Sequence, residues 1–493
     1  MDGIIVKLRF PFSVITLTLI MLIITACFTS SSISSGGGVD VIELILNRKA
    51  NDDDVIKVSK LGGKVIYRFD EVNALVIGIR GGLVNSLINS LGGVRWYSKA
   101  GVIRPLDVEE LPNNCTADGY VLTWNLDMIN VPTAHDSGFN GSGVYIAVLD
   151  TGLEPQWRDY FDEESIVAEY AAAFLGAQAA AYGITNEVLN KNAWEADSDG
   201  HGTAVTAVIL GFKVYGIYRV DGTAPAAKVI PVKVIGNQGW GFTSDLAAGI
   251  LYIAKLYEYE VNTGGNVLDP PGIINPIIIS LSVGGPHSEL LREVINYAIN
   301  KGVFIVAAAG NEGDAGMLYP AAYPEVISVG AVGWVRQFNA PGWWRNLDVP
   351  EELTSQIYVP NFSSRELSGQ ELDVLAPGAY VVLPYTPYGT AHPPLQSKSS
   401  IGQYYYLSGT SFAAPHISGA IALILQADLV DGKVGVNQSS VESLLKESAL
   451  GLGHGCAEVL TPLGTEIHCW REDAVGYGLI QINYILTKLA TIQ

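Results

Sequence analysis

Five short runs of the chain are apolar at nearly every position, at 144–149, 229–234, 276–281, 303–309 and 326–332. A strand that shows one face to water alternates apolar with polar residues, so runs like these predict a sheet covered on both sides. Helical patterns fall between them. Strand and helix in alternation predict an α/β domain, a parallel sheet with helices on its faces. In such sheets chemistry collects at the carboxyl ends of the strands.

The stretch 39–102 follows a different pattern. Strands are expected over 41–46, 64–69, 74–79 and 94–97, and helices over 53–60 and 83–91, giving the order βαββαβ of a small α+β ferredoxin-like unit. Each expected helix ends in Leu-Gly-Gly, at Leu61-Gly62-Gly63 and Leu91-Gly92-Gly93, which suits a left-handed cap before the turn into a strand. Nothing in this stretch carries catalytic chemistry. At 493 residues the chain exceeds the roughly 250–300 that one hydrophobic core supports, so two folding units are in keeping with its length.

Composition narrows the class. Hydrophobic residues make up 48% and charged residues 16%, which excludes a largely disordered chain. With 29 basic and 49 acidic residues the net charge is −20, so neither nucleic acid nor an anionic membrane surface is an expected partner.

Residues 1–27 read as a signal peptide or N-terminal anchor, because Lys7 and Arg9 precede an uncharged apolar stretch over 12–26. Ile24-Thr25-Ala26-Cys27 resembles a lipoprotein processing site, which makes Cys27 a candidate lipid attachment point. A Ser/Gly linker occupies 28–38. Each of these readings places the protein outside the cytoplasm, extracellular or at the cell surface, where Cys456 and Cys469 are expected to be bridged.

Three segments at strand or helix boundaries could carry chemistry. Asp150 ends the first apolar run, in Val148-Leu149-Asp150-Thr151-Gly152. His201 stands in Asp199-Gly200-His201-Gly202-Thr203, at the start of a helical run. Ser411 stands in Gly409-Thr410-Ser411-Phe412-Ala413-Ala414-Pro415, before a long apolar helix. Taken singly, they read equally as a turn cap, a loop histidine and a helix N-cap. The serine context lacks the second glycine of a Gly-x-Ser-x-Gly elbow, since Ala413 holds that place.

Taken together and in this order, the three segments resemble the subtilisin-like serine proteases, the subtilases, over 124–479. The resemblance implies a subtilisin-like fold and a serine endopeptidase acting on proteins or peptides. Asp150, His201 and Ser411 take the triad positions, and Asn311, in Ala309-Gly310-Asn311-Glu312-Gly313, takes that of the oxyanion-hole side chain. Gly239-Trp240-Gly241 and Ser282-Val283-Gly284 are the implied edges that hold an extended substrate. Leu318 falls where a glycine is common at the floor of the pocket for the residue before the scissile bond, so that pocket is expected to be shallower. Two departures are Ala204, where a second histidine is usual, and Phe412, where methionine is usual. The mechanism requires no metal or cofactor. Structural calcium is common in the family, but no loop here has convincing ligand spacing.

The same resemblance reads 39–102 as a propeptide that acts as an intramolecular inhibitor, 103–120 as a linker cut by the enzyme itself, and 121–493 as the peptidase domain. Stretches 154–196, 334–360 and 385–403 exceed what a compact subtilase needs and are expected to be solvated loops. A subtilase-fold binding protein without activity is the alternative, and the intact catalytic positions weigh against it.

Overall fold

In the computed structural model, which describes residues 39–106, 109–112, 124–182, 192–214, 218–338, 356–384, 404–429, 435–461 and 464–492, two cores meet along one sheet. The expected signal or anchor, Cys27 and the Ser/Gly linker lie outside the described residues.

The small unit runs β1 (Val39–Leu46), α1 (Asp52–Lys60), β2 (Lys64–Phe69), β3 (Ala74–Arg80), α2 (Val84–Leu91) and β4 (Val94–Lys99). Its sheet order is β2-β3-β1-β4 with every pair antiparallel, the arrangement expected of a ferredoxin-like unit. A capping box starts α1: the Asn51 side chain accepts from the Asp54 N–H at 3.1 Å, and the Asp54 carboxylate accepts from the Asn51 N–H at 2.9 Å. Gly62 and Gly92 carry φ of 71° and 63°, the left-handed backbone read from the Leu-Gly-Gly echo. Side chains alternate along β1. Ile42, Leu44 and Leu46 pack with Val58, Leu87 and Leu91 of the two helices, while Val41 and Ile45 join the core of the large unit.

Strand β5 (Val102–Pro105) leaves the small unit and enters the large one. There the main sheet is built from β6 (Tyr145–Asp150), β7 (Ala172–Ala173), β8 (Lys228–Lys233), β10 (Ile277–Leu281), β12 (Phe304–Ala308), β13 (Ile327–Trp334), β14 (Ile357–Tyr358) and β15 (Val374–Pro377). Its order is β14-β13-β12-β10-β6-β8-β7, with β15 beside β13, and every pair is parallel except β13 with β14. The expected runs are its central strands. Helices α3 (His201–Leu210), α4 (Thr243–Asn262), α5 (Glu289–Lys301) and α6 (Thr410–Asp428) cover it. Helix α6 is buried from Thr410 to Leu425, so its long apolar sequence is that of a core helix and not of a membrane span. Two short strands, β9 (Gly241–Phe242) and β11 (Val283–Gly284), lie beside β5.

One expectation fails where it can be followed. Of the stretch 154–196, the described residues form a layer anchored on the core by apolar side chains, with charged residues such as Arg158, Glu163 and Glu164 exposed on its outside. Trp157, Phe161, Ile166 and Trp194 are buried, the two indoles lie 6.4 Å apart, and β7 extends the main sheet. Apolar side chains of that size need cover, and the sheet edge supplies it. Residues 339–355 and 385–403, within the other two long stretches, lie outside the described residues. Near the C-terminus, β16 (Gly455–Thr461) and β17 (Gly464–Trp470) form an antiparallel hairpin in which Cys456 and Cys469 stand opposite and are bridged.

Candidate active site

Asp150 is the last residue of β6 and is buried. Its Oδ1 accepts from the Thr151 N–H at 2.7 Å and from His201 Nδ1 at 2.8 Å. A buried carboxyl group that accepts a hydrogen bond from Nδ1–H fixes the tautomer, leaving the lone pair of the neutral ring on Nε2. His201 opens α3, reached through Gly200 at φ 89°. The helix start lies hard against the turn after β6. The Gly202 N–H donates to Thr151 Oγ1 at 2.8 Å, and a Cβ on Gly202 would come within 2.3 Å of the Gly152 carbonyl oxygen. A glycine is therefore required after the histidine. Behind the turn, buried Lys233 donates to the carbonyls of Thr151 and Ala196, and burial holds its pKa below the usual lysine value.

Ser411 is the second residue of α6. Its Oγ donates to the Ser282 carbonyl at 3.0 Å, and the Ser282 hydroxyl donates back to the Ser411 carbonyl at 2.6 Å. Phe412 sets its ring 5.7 Å from the His201 imidazole. Asn311 follows β12. Its Oδ1 accepts from both the N–H and the hydroxyl of Thr410, each at 3.0 Å, which turns the amide Nδ2 the other way. That Nδ2 donates to the Leu106 carbonyl at 2.6 Å, and the Ser411 N–H points to the same oxygen at 3.4 Å. Two N–H donors, one of them at the start of a nineteen-residue helix, thus converge on one carbonyl of the chain itself. The Leu106 N–H donates to Ser411 Oγ at 2.9 Å.

Residues 102–105 reach this point as a strand between two others. Gly241 pairs with Ile103 and Phe242 with Val102 on one side; Val283 pairs with Pro105 and Gly284 with Arg104 on the other, both antiparallel. Ile103 and Leu106 are buried, and Arg104 is exposed. A Cβ on Gly284 would lie 2.9 Å from Leu318 Cδ1 and 3.0 Å from Leu106 Cδ1, so the two leucines share a wall that only glycine permits.

The structure brings Asp150, His201, Asn311, Ser411, Ser282, Val283, Gly284 and Leu318 around one cleft. The other edge falls one residue later than the sequence reading placed it. Gly241 and Phe242 pair, whereas Gly239 turns at φ 72° and Trp240 bridges back to Gly236 and packs its ring on Phe242 at 5.4 Å. A turn must precede an edge, and the glycine that looked like edge is that turn. The sequence reading also missed Thr410, which orients Asn311. The only signal was its place beside the serine. His416 lies five residues after Ser411 and is a different kind of histidine. Its Nδ1 donates to the Phe412 carbonyl at 2.6 Å, its Nε2 accepts from Asn125 at 2.7 Å, and burial pushes its pKa down to about 4.

Comparisons with known proteins agree on one group. The model of the subtilase family matches residues 141–470. The chain is 30% identical to Subtilisin BL of Lederbergia lenta over 331 residues, covering 67% of this chain and 92% of that protein. To the M-protease of Shouchella clausii it is 30% identical over 332 residues and spans 65% of that protein's length. Subtilisin E of Bacillus subtilis is 28% identical over 381 residues, 76% of each chain. Among solved structures, fervidolysin from Fervidobacterium pennivorans, a keratinolytic enzyme related to subtilisin, superimposes with a TM-score of 0.63 at 22% identity. That match covers 92% of this chain and 62% of fervidolysin, and it speaks for the fold alone.

Proposed function

The chain belongs to the subtilase family, and on that premise we propose that it is an exported serine endopeptidase made as a zymogen that cuts itself after Leu106. One observation carries this reading: the Leu106 carbonyl sits between Asn311 Nδ2 and the Ser411 N–H while residues 102–105 are paired in the cleft as a substrate strand.

In this reading His201 accepts the Ser411 proton as Oγ attacks the carbonyl carbon and passes it to the leaving amine, while Asp150 holds the imidazole and stabilises its cation. Charge that develops on the carbonyl oxygen is met by donors already in place, a contribution of about 2.7–4 kcal/mol for one such donor. Water then hydrolyses the acyl-enzyme.

The small unit, 39–99, is the propeptide, and its tail runs to Leu106. The cut therefore falls inside the expected linker 103–120 and not at its start. Pairing through backbone favours broad protein or peptide substrates. Buried Ile103 and Leu106 indicate apolar residues at the positions four and one before the cut. Export follows from the charged and apolar order of residues 1–27.

The test is the Ser411→Ala chain expressed in a host without other proteases. The wild type should yield a fragment beginning at Asp107 and digest casein, and a serine-directed organophosphorus reagent should stop it. The variant should stay one chain, with activity lower by about a millionfold. Cleavage after Leu106 in the variant would refute self-processing.

A further inference from the structure

Among the described residues, β9 has β5 as its only partner strand. Once 102–106 has been cut away, the two residues that receive the next substrate stand without a strand beside them, so their place in the cleft has to be fixed from behind. A turn leads into them. The Gly239 N–H donates to the Gly236 carbonyl at 3.0 Å, and the Gly236 N–H donates to the Trp240 carbonyl at 3.0 Å. The planar peptide unit that carries the Trp240 carbonyl also carries the N–H of Gly241, so whatever holds that oxygen sets the plane in which β9 begins.

The same oxygen has a second donor, from a distant part of the chain. Gln178 is 6% exposed, and its Nε2 donates to the Trp240 carbonyl at 2.8 Å, with Gln238 Oε1 at 3.5 Å. Its amide packs directly on the turn: a Cβ on Gly236 would come within 2.0 Å of Gln178 Oε1 and 2.6 Å of Nε2. Only a glycine leaves room for it there.

Gln178 belongs to a six-residue helix, Gly176–Ala181, inside the stretch 154–196 that exceeds what a compact subtilase needs. The helix is seated on the peptidase. The Asp245 carboxyl, in the first turn of α4, accepts from the Ala177 N–H at 2.9 Å and the Gln178 N–H at 3.2 Å, and Ala177 and Ala179 are buried. The small unit touches the same place through Tyr67, whose hydroxyl donates to Asp245 Oδ1 at 2.8 Å and accepts from the Gly176 N–H at 2.8 Å. Those two bonds would leave with the propeptide, whereas the bonds from Ala177 and Gln178 to Asp245 join residues of the peptidase and stay with it.

We propose that the helix Gly176–Ala181 is part of the substrate-binding apparatus and that Gln178 is a positioning residue. It holds the turn 236–240 so that β9 is in place, without a partner strand, for the residues four and five before the cut. The proposal rests on the reading above, in which 102–106 lies in the cleft as substrate. Gln178 acts through β9, so its effect depends on how far a substrate reaches: a peptide that pairs with β9 gains from it, and one that stops two residues before the cut does not.

Two chromogenic amides separate these cases on the self-cut enzyme, one with the sequence 102–106 before the chromophore and one with 105–106 alone. Gln178→Met keeps the length of the side chain and removes the donor. It should lower kcat/KM for the long amide by about three- to tenfold, as expected for one hydrogen bond, and leave the short amide as in wild type. Gly236→Ala keeps Gln178 but takes the space of its amide, and it should give the same selective loss. Equal losses on both amides, no loss on the long one, or a Gly236→Ala enzyme with wild-type selectivity overturns the proposal. Hydrogen exchange on the uncut Ser411→Ala chain gives a reading that needs no turnover. With Gln178→Met added, the amides of 236–242 should exchange faster by about the same factor while those of 277–284, at the opposite edge, stay unchanged. Unchanged exchange at 236–242 overturns the proposal as well. A chain that never cuts after Leu106 refutes the zymogen reading, and the exchange measurement then decides the hold of Gln178 on β9 by itself.

Discussion

Strands β1 and β3 of the small unit divide their side chains between two cores, whereas β6, β10 and β12 of the large unit bury both faces among helices of their own unit. The small unit's helix-facing core is its own, built from residues such as Leu44, Leu75, Ile77 and Leu87. Its other face, with Val41, Ile45, Phe69 and Val76, is complete only against the peptidase. Each such side chain stabilises its buried state by roughly 1.5–3 kcal/mol relative to water. The contact between the two units is therefore mostly apolar area, with the buried carboxyls of Glu43 and Asp245 set within it. In the proposed zymogen the part that must later leave carries such a face, and the scaffold that stays has a closed core.

The sharpest way to separate the two roles is a change that touches only the chemistry between them. Asn311→Ala should lower kcat, for casein and for the cut after Leu106 alike, by about a hundred- to a thousandfold with KM little changed, because the amide acts on charge present only in the transition state. Cleavage time courses and steady-state kinetics read both. An effect confined to KM would make Asn311 a substrate-binding group and remove the oxyanion assignment.

A pair of core changes then tests whether the two faces of β1 differ as described. Leu44→Ala and Ile45→Ala each delete buried methyl groups at a cost of about 2–5 kcal/mol. The first should destabilise the propeptide itself, seen as failed or slow maturation. The second should leave it folded but loosely held, so that the cut protein is active against casein earlier than wild type. Identical phenotypes for the two variants would break the division into an owned face and a borrowed one.

Much of this was legible beforehand for identifiable reasons. Runs without alternation gave the parallel sheet because covered strands have no polar face, and the Leu-Gly-Gly echo marked both helix ends because only glycine takes that backbone cheaply. Asp150, His201 and Ser411 were legible as a set only through the resemblance of their three motifs, in that order, to the subtilases; element boundaries alone left each a plain cap or loop residue. What period and motif could not supply were contacts made across long sequence distances. Glu43 reads as one polar residue in a strand; that Thr243 and Ser288 meet it is a property of the docked pair. The stretch 154–196 looked like surplus loop because its apolar residues follow no period, and they are held by an edge strand that no local signal announces.

Leu318 tests how far the propeptide's own tail predicts other substrates. Its side chain and that of Leu106 lie against the same glycine wall at Gly284. Removing it opens volume that a larger side chain can fill, and the change in apolar contact corresponds to roughly ten- to a hundredfold in relative kcat/KM. Leu318→Gly should therefore raise acceptance of Phe and Tyr over Ala before the cut by that factor in a peptide library. A wild-type profile that already prefers aromatic residues, unchanged by the substitution, would mean that the Leu106 pose does not represent substrate.

The smallest effect is expected at the C-terminal hairpin, whose link to the cleft is short enough to be worth breaking. Cys469 donates its N–H to Asn361 and accepts from Arg365 through its carbonyl, and Ser364 in the same segment accepts from the Glu312 N–H, next to Asn311. Two hydrogen-bonded steps thus connect the disulfide to the oxyanion amide. Asn311 itself, however, is oriented by Thr410 from the start of α6, and that contact does not pass through the hairpin. Closing a loop of this length stabilises by about 3 kcal/mol at most, and β16 and β17 stay paired without the bridge over seven positions, so less than that is expected to be lost. Cys456→Ser with Cys469→Ser should lower the Tm by a few degrees and leave kcat at low temperature, and propeptide retention, as in wild type. A fall in kcat of tenfold or more at a temperature where the variant is fully folded would show that the hairpin holds the oxyanion loop, and the peptidase would then depend on a peripheral element as the propeptide depends on it.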